Sequence, residues 1–514
     1  MKHCCTAQRR TNTANRIRLL ASCTLAAATC AGTAAAQTAP AGTLIVARSP
    51  YQGTASTVTV GQTLPNTNGA TATADGSYPG VFANDSVDGN FGITSPIVLD
   101  TYPVTQSKQR FDVGAISGGV NVTAKTGVAT SFSSKSELGL HLSTDGTAVT
   151  FTGYTAKVNT LDVSNANTPD NVDPTNTDTA PATYRTVVQY DVASGKLSTT
   201  PTDAYSGNNG RGAILANNVN GSGIDEYLLV GNAGNGSGTE PTDIVNNTGV
   251  QAVAPGAGPT TSVIGAQQGT PGNKTGFQYG FSVASIGQPA DKSGKDDNFR
   301  GATVFDNTLY VSKGSGSNGV DTVYQVTAAG GGLPTAATSS TTQISILPGF
   351  PTTLASQLSD SSPSTEFYPF GLFFANATTL YVADEGSQDL NADPHAGLQK
   401  WIYDGTRWNL AYTIQAGLNL DQPYSLNGYP TGDNPATTGL RQLTGVVTGN
   451  TVTIFAVTAT YSNLGDPGAD PNAIVKVVDT LDATSPGPNE AFVTQFHPRY
   501  GQVYRGVVFV PATP

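Results

Sequence analysis

Apolar residues alternate with Thr, Ser, Gln or Lys in short runs along the chain, each run bounded by Gly, Asn, Asp or Pro. The clearest copy lies between Arg300 and Val326. Gly301-Ala-Thr-Val-Phe305 and Thr308-Leu-Tyr-Val-Ser-Lys313 flank the dipeptide Asp306-Asn307, and Asp321-Thr-Val-Tyr-Gln-Val326 follows a Gly/Ser loop. Alternation with period two across a two-residue turn predicts strand, hairpin, strand, loop, strand.

The same unit recurs. Arg211-Gly-Ala-Ile-Leu-Ala216 is followed by Glu226-Tyr-Leu-Leu-Val230, and Phe370-Gly-Leu-Phe-Phe374 by Thr379-Leu-Tyr-Val-Ala383. Gly445-Val-Val-Thr448 leads to Thr453–Thr458 and Ile474–Asp479, and Leu138–Leu142 leads through Asp145-Gly146 to Ala148–Thr152. A weaker copy pairs Gly80-Val-Phe-Ala83 with Ile97–Tyr102. The stretch from Lys157 to Thr183 is rich in Thr, Asn, Asp and Pro, too polar for a core, and is read as a surface insertion.

The two ends complement each other. Tyr504–Val510 reads as a first strand with no second strand after it, and Thr43–Tyr51 as a second strand with no first. Joining them completes a unit and removes the exposed edges of a linear array. The count becomes seven units, and the expected fold is all-β: a seven-bladed β-propeller closed by pairing of the N- and C-terminal strands. Two packed sandwiches are the rival arrangement, but they would not need complementary half-units at the ends.

Composition adds a compartment. Arg9, Arg10, Arg16 and Arg18 precede the apolar run Leu19–Ala31, and Ala34-Ala-Ala36 offers a small-residue cleavage site. Residues 1–36 therefore read as a signal peptide and 37–514 as a single propeller domain, secreted or periplasmic. All four cysteines (Cys4, Cys5, Cys23, Cys30) fall in that segment, leaving the remainder without disulfide or thiol chemistry. Removing it takes five positive charges and no negative ones, so 20 Lys and Arg face 36 Asp and Glu, a net charge of −16. Such a chain repels phosphate backbones and anionic lipid. No nucleic acid, no membrane span and a monomeric state are expected.

The pattern Gly-apolar-x-apolar, turn, Leu-Tyr-Val-x-Lys/Asp, carried by Gly301–Lys313 and Gly371–Asp384, resembles the YVTN/NHL-like and related lactonase-like propellers of secreted bacterial proteins. The resemblance covers most of Thr43–Val510. It implies inner strands lining an axial channel. It also implies that the loops into the first strand share one face with the loops between second and third strands.

Candidate chemistry follows from that face. Arg211, Arg300 and Arg505 each stand immediately before an inner-strand glycine, and Arg441 lies three residues before Thr444-Gly445. Guanidiniums converging on a channel mouth could bind a carboxylate or other anion through forked hydrogen bonds. The plainer alternative bonds each arginine to the next blade's backbone or to an acid such as Asp296 or Asp297.

The loop after Val382 carries Asp384, Glu385, Asp389, Asp393 and His395. Clustered carboxylates suit Ca²⁺. Gluconolactonase-like and paraoxonase-like propellers use acids around an axial cation, which would make Asp384 and Glu385 metal ligands and His395 a base. The equivalent positions elsewhere are Lys313, Asn232 and the neutral Ala459-Thr460, so no cage drawn from several blades is evident. Ala392-Asp-Pro-His-Ala396 is also echoed by Ala469-Asp-Pro-Asn-Ala473, which explains His395 as part of a repeated Asp-Pro turn. Gly314–Gly319 fits G-x-G-x-x-G but joins two strands, with no helix to receive a phosphate.

The expectation is an exported ligand-binding or scaffold module for an anionic small-molecule, glycan or protein ligand, with no catalytic set assigned. The competing class is a metal-dependent lactonase- or esterase-like hydrolase.

Overall fold

The computed structural model describes residues 40–65, 70–85, 91–177, 179–217, 223, 225–265, 291–292, 295–358, 367–387 and 393–512. The expected signal peptide, Asp389 and much of the loop 267–297 lie outside the described residues.

Among the described residues six sheets, each running outward through four antiparallel strands, form the fold, with extra short strands on the first two. The first blade takes its inner strand, Gln502–Pro511, from the end of the chain and its second, Pro40–Pro50, from near the beginning. Thr43 stands opposite Val510, Leu44 opposite Phe509 and Val46 opposite Val507, which is the terminal pairing expected from the two half-units. The other inner strands are His141–Leu142, Gly210–Ala216, Gly301–Phe305, Pro369–Asn376 and Ala436–Thr448.

The architecture is all-β and propeller-like, but the described residues form six blades and not seven. The weak second unit is the one that dissolves. Val98–Ser107 is the third strand of the first blade. Gly80–Asn84 is a turn of 3₁₀ helix in which the adjacent residues Val81 and Phe82 are both buried. Consecutive inward side chains suit a helical turn, whereas a strand would send one of them to the opposite face. Phe82 stacks on Phe132 at 5.6 Å, and Tyr51 and Tyr78 complete an aromatic cluster there.

Closure is visible in the core. Six of the seven apolar clusters among the described residues each join two consecutive blades: first to second, second to third, and onward until the sixth meets the first. Both tryptophans belong to the junction of the fourth and fifth blades. Trp401 stacks on Phe350 at 4.0 Å and donates its Nε1 hydrogen to Gln399 Oε1 at 2.9 Å. Both are interior packing.

Near the axis the backbones themselves touch. A Cβ on Gly301 would lie 1.8 Å from the Phe370 carbonyl oxygen, one on Gly506 2.4 Å from that of Leu138, and one on Gly371 2.7 Å from that of Arg441. Glycine recurs at the start of inner strands because the neighbouring strand occupies the space of its side chain. Gly301→Ala should therefore destabilise the fold by about 3 kcal/mol or more through forced separation of two blades. Gly80→Ala, where a Cβ meets nothing within 4 Å, should stay within about 0.5 kcal/mol of the parent. Urea unfolding of the two variants checks this, and equal losses would contradict it.

Candidate functional site

The arginines preceding these glycines are carried to one end of the inner-strand ring, and each reaches a neighbouring blade. Arg505 donates to the carbonyls of Phe132 and, at 2.6 Å, Gly468. Arg211 donates to the side-chain oxygen of Asn298 and to the Phe299 carbonyl at 3.0 Å. Arg300 crosses to Glu385 at the end of the fifth blade's second strand, and Arg441 reaches the other oxygen of the same carboxylate, Nε to Oε2, at 3.1 Å. All four guanidiniums and Glu385 are buried. All four side chains thus make the plainer blade-to-blade contacts.

The donors outnumber the acceptors. Among the described residues, buried Nε of Arg211 and of Arg300, both terminal nitrogens of Arg441, and Nε and Nη1 of Arg505 have no hydrogen-bond partner. Burial, reinforced by the charge of Arg300, brings Arg211 down to about 9. Burial and Arg441 do the same to Arg505, also to about 9. Burial alone would raise Glu385, but Lys135, Arg300 and Arg441 together outweigh it and hold the carboxylate at about 2.

Asp384 and Glu385, the two expected cation ligands, have separate tasks. Glu385 is the shared counter-ion of Arg300 and Arg441. Asp384 accepts the backbone N–H groups of Tyr368 at 3.1 Å and Gly386 at 2.9 Å, and the Gln399 amide at 3.1 Å. Burial, with Asp393 nearby, pushes its pKa well above the usual carboxylate range. A carboxyl whose oxygens already accept three N–H donors is a poor ligand for a hard cation. Among the described residues no three His, Cys, Asp or Glu side chains gather in a metal-holding group. Asp393 Oδ1 accepts the His395 N–H at 2.7 Å, the local turn expected from the repeated Asp-Pro sequence. Lys313 is engaged with Asp321 at 2.6 Å.

Arg211 and Arg300 also line one open, polar cavity of about 300 Å³, together with Lys135, Lys295, a single acid, Asp466, and Asn165, Asn208, Asn209, Asn232, Asn235 and Asn298. Lys295 donates to the carbonyls of Ala233 at 3.0 Å and Gly234 at 2.6 Å, and burial brings it down to about 7. One of these residues, Asn165, was hidden by composition. In the stretch 157–183, read as a surface insertion, residues 162–168 are buried as a polar plug while much of 170–182 stays exposed. Arg185 donates to the Ser164 carbonyl at 2.9 Å, Asn176 to the Asn165 carbonyl at 2.8 Å, and Thr168 to the Asp203 carbonyl at 2.9 Å. Its density of side-chain amides lets it bury polar backbone without apolar residues, and it sets Ser164 and Asn165 in the cavity wall. Lys135 and Lys295 lie in loops that no repeat pattern marks.

A second cavity, about 340 Å³, follows the axis and is lined by residues of all six inner strands. His141 faces it, lowered to about 4 by burial, so the imidazole is neutral at ordinary pH.

No protein-family profile matches the chain, and no curated protein does. Among solved structures the chain is similar to the GH74 enzyme of Niastella koreensis, with 9% identity, a TM-score of 0.32, and coverage of 77% of this chain and 44% of that one. A mutant Trypanosoma rangeli sialidase displaying trans-sialidase activity matches with 9% identity, a TM-score of 0.30, and coverage of 84% and 59%. A PL25 ulvan lyase matches with 9% identity, a TM-score of 0.30, and coverage of 82% and 92%. The chain spans less than two thirds of the first two.

Glu385 generates an acid limb of stability. Its folded-state value of about 2, against 4.5 for the free side chain, gives stability fully present above about pH 4.5 and lost as pH falls through about 2. Glu385→Gln, which leaves two buried guanidiniums without a counter-charge, should cost about 3 kcal/mol or more at pH 7. The gap between variant and parent should narrow below pH 4.5. Denaturant unfolding from pH 7 to pH 2 measures both; a gap independent of pH would contradict the assignment.

Proposed function

We propose that the protein is an exported binding module for a small, hydroxylated anion, held in the cavity beside Arg211 and Arg300. The observation that carries this reading is one polar cavity lined by four cationic side chains, Arg211, Arg300, Lys135 and Lys295, against a single acid, Asp466. A buried cationic cluster with surplus donors is costly until an anion compensates it. A carboxylate supplies charge and acceptors at once. Six asparagines in the wall can donate to and accept from hydroxyl groups, which suits a sugar acid better than a bare inorganic ion.

The competing reading, a cation-assisted lactonase or esterase, would require Asp384 and Glu385 to abandon the hydrogen bonds and ion pairs they already make. No observation favours it.

Calorimetric titration with D-glucuronate, with D-glucose as the uncharged control, tests the binding. Glucuronate should bind and glucose should not. Arg211→Gln, which spares the Glu385 cluster, should weaken glucuronate binding about tenfold to a hundredfold through loss of charge-assisted hydrogen bonds. Equal affinity in parent and variant would place the anion elsewhere and retire this reading.

A further inference from the structure

Between the fifth and sixth blades a lysine, two carboxyls and two phenols are packed together, the lysine amine also donating to Tyr412 Oη at 3.1 Å and to the Thr480 carbonyl at 2.7 Å. Lys400 lies on the strand Gly397–Tyr403 and Asp479 on Ile474–Thr480. Nζ of Lys400 is 3.0 Å from Oδ2 of Asp479, and neither side chain has any solvent exposure. Tyr412 donates its hydroxyl hydrogen to Asp479 Oδ1 at 2.7 Å, and Tyr381 donates to Oδ2. The rings of the same two tyrosines flank the amine, their centroids 5.2 and 5.7 Å from Nζ.

Glu490 closes the group. Its Oε2 accepts the Gly487 N–H at 2.8 Å, while its buried Oε1 has no donor among the described residues. Its carboxyl interacts with that of Asp479, and a shared proton would relieve their repulsion. Burial first, then the Asp479 charge, pushes Glu490 up to about 7.

We propose that Lys400 and Asp479 join in a side-chain amide that fastens the fifth blade to the sixth, with Glu490 relaying the proton. The parts match what amide formation needs. Passing the ammonium proton to the carboxyl pair gives the neutral amine and the carboxylic acid that the reaction needs. The amine lone pair attacks Asp479 Cγ, a C–N bond forms, and the carbonyl electrons move onto an oxygen already held by a phenol. Donors preorganised at an oxygen that gains charge are the usual means of stabilising such a tetrahedral centre. Glu490 takes the proton from nitrogen and returns it to the departing hydroxyl, the C–O bond breaks, and one water leaves. Amine plus carboxylic acid becomes amide plus water, with no oxidant or co-reactant.

An internal comparison sharpens the assignment. Lys313 and Asp321 form an equally buried pair at 2.6 Å. The described residues place no second carboxyl in hydrogen-bonding contact with Asp321 and no phenol on either of its oxygens. That pair has the reactants without the relay. The cysteines all lie within residues 1–36, so an amide would give the rest of the chain a covalent tie that disulfides cannot supply.

Peptide mapping of the full purified chain by tandem mass spectrometry decides the matter. The expected result is a branched peptide joining residues 400 and 479, lighter by one water than its two parts, with Lys313 and Asp321 in ordinary linear peptides. Glu490→Gln should retain the parental circular dichroism and give the unlinked peptides. Recovery of Lys400 and Asp479 only in separate, full-mass peptides of the parent would overturn the proposal. So would complete linkage in Glu490→Gln, or equal linkage at residues 313 and 321.

Discussion

The contact on which the rest of the molecule depends is the close approach of neighbouring inner strands, backbone against backbone, around the axis. With 1.8 Å between the place of a Gly301 side chain and the Phe370 carbonyl oxygen, no larger residue fits without parting two blades. A ring so tight sends the side chains just before these glycines to one end, where they meet. Arginine before glycine is therefore one device with two parts: the glycine lets the blades close, and the arginine latches across the seam just closed.

The latch has an electrostatic consequence. Arg211, Arg300, Arg441 and Arg505 come from four blades, and the repulsion between Arg211 and Arg300, and between Arg441 and Arg505, contributes to lowering Arg211 and Arg505. Glu385 relieves part of that repulsion by accepting from two of the four. The remainder is borne by backbone carbonyls and by nitrogens with no acceptor. The overall chain is acidic, at −11, so this concentration of buried positive charge is a local departure created by the fold. It is also what gives the cavity beside Arg211 and Arg300 its character: a polar, amide-lined hollow with cations on its wall and one acid among them.

Much of this was legible in the sequence because strand alternation, Asp-Gly and Asp-Asn turns, and complementary half-units are local signals. The Arg-Gly pairs pointed to three of the four latches before any coordinates. The blade count failed at Gly80–Ala83, where an apolar pair of the right length mimicked a strand, although both Val81 and Phe82 turn inward on a helical turn. Glu385 was assigned to a cation because acids cluster in its loop; only the arrival of Arg300 and Arg441 from two other blades shows it to be a counter-ion. Within the stretch 157–183 residues 162–168 were misjudged, because polarity was equated with exposure, whereas asparagine amides there satisfy buried backbone groups. Lys135, Lys295 and the Lys400–Asp479–Glu490 group depend on contacts between distant segments, and no spacing in the chain announces them.

The central claim is that the Arg211 and Arg300 guanidiniums beside the cavity hold an anion. Nuclear magnetic resonance of the arginine Nε–H groups, followed during titration with D-glucuronate, examines those hydrogens directly. The account predicts saturable shifts of the Arg211 and Arg300 signals with one common affinity, while that of Arg185, whose Nε already donates to the Asn208 carbonyl at 2.9 Å, stays in place. Unmoved Arg211 and Arg300 signals at saturating glucuronate would contradict it.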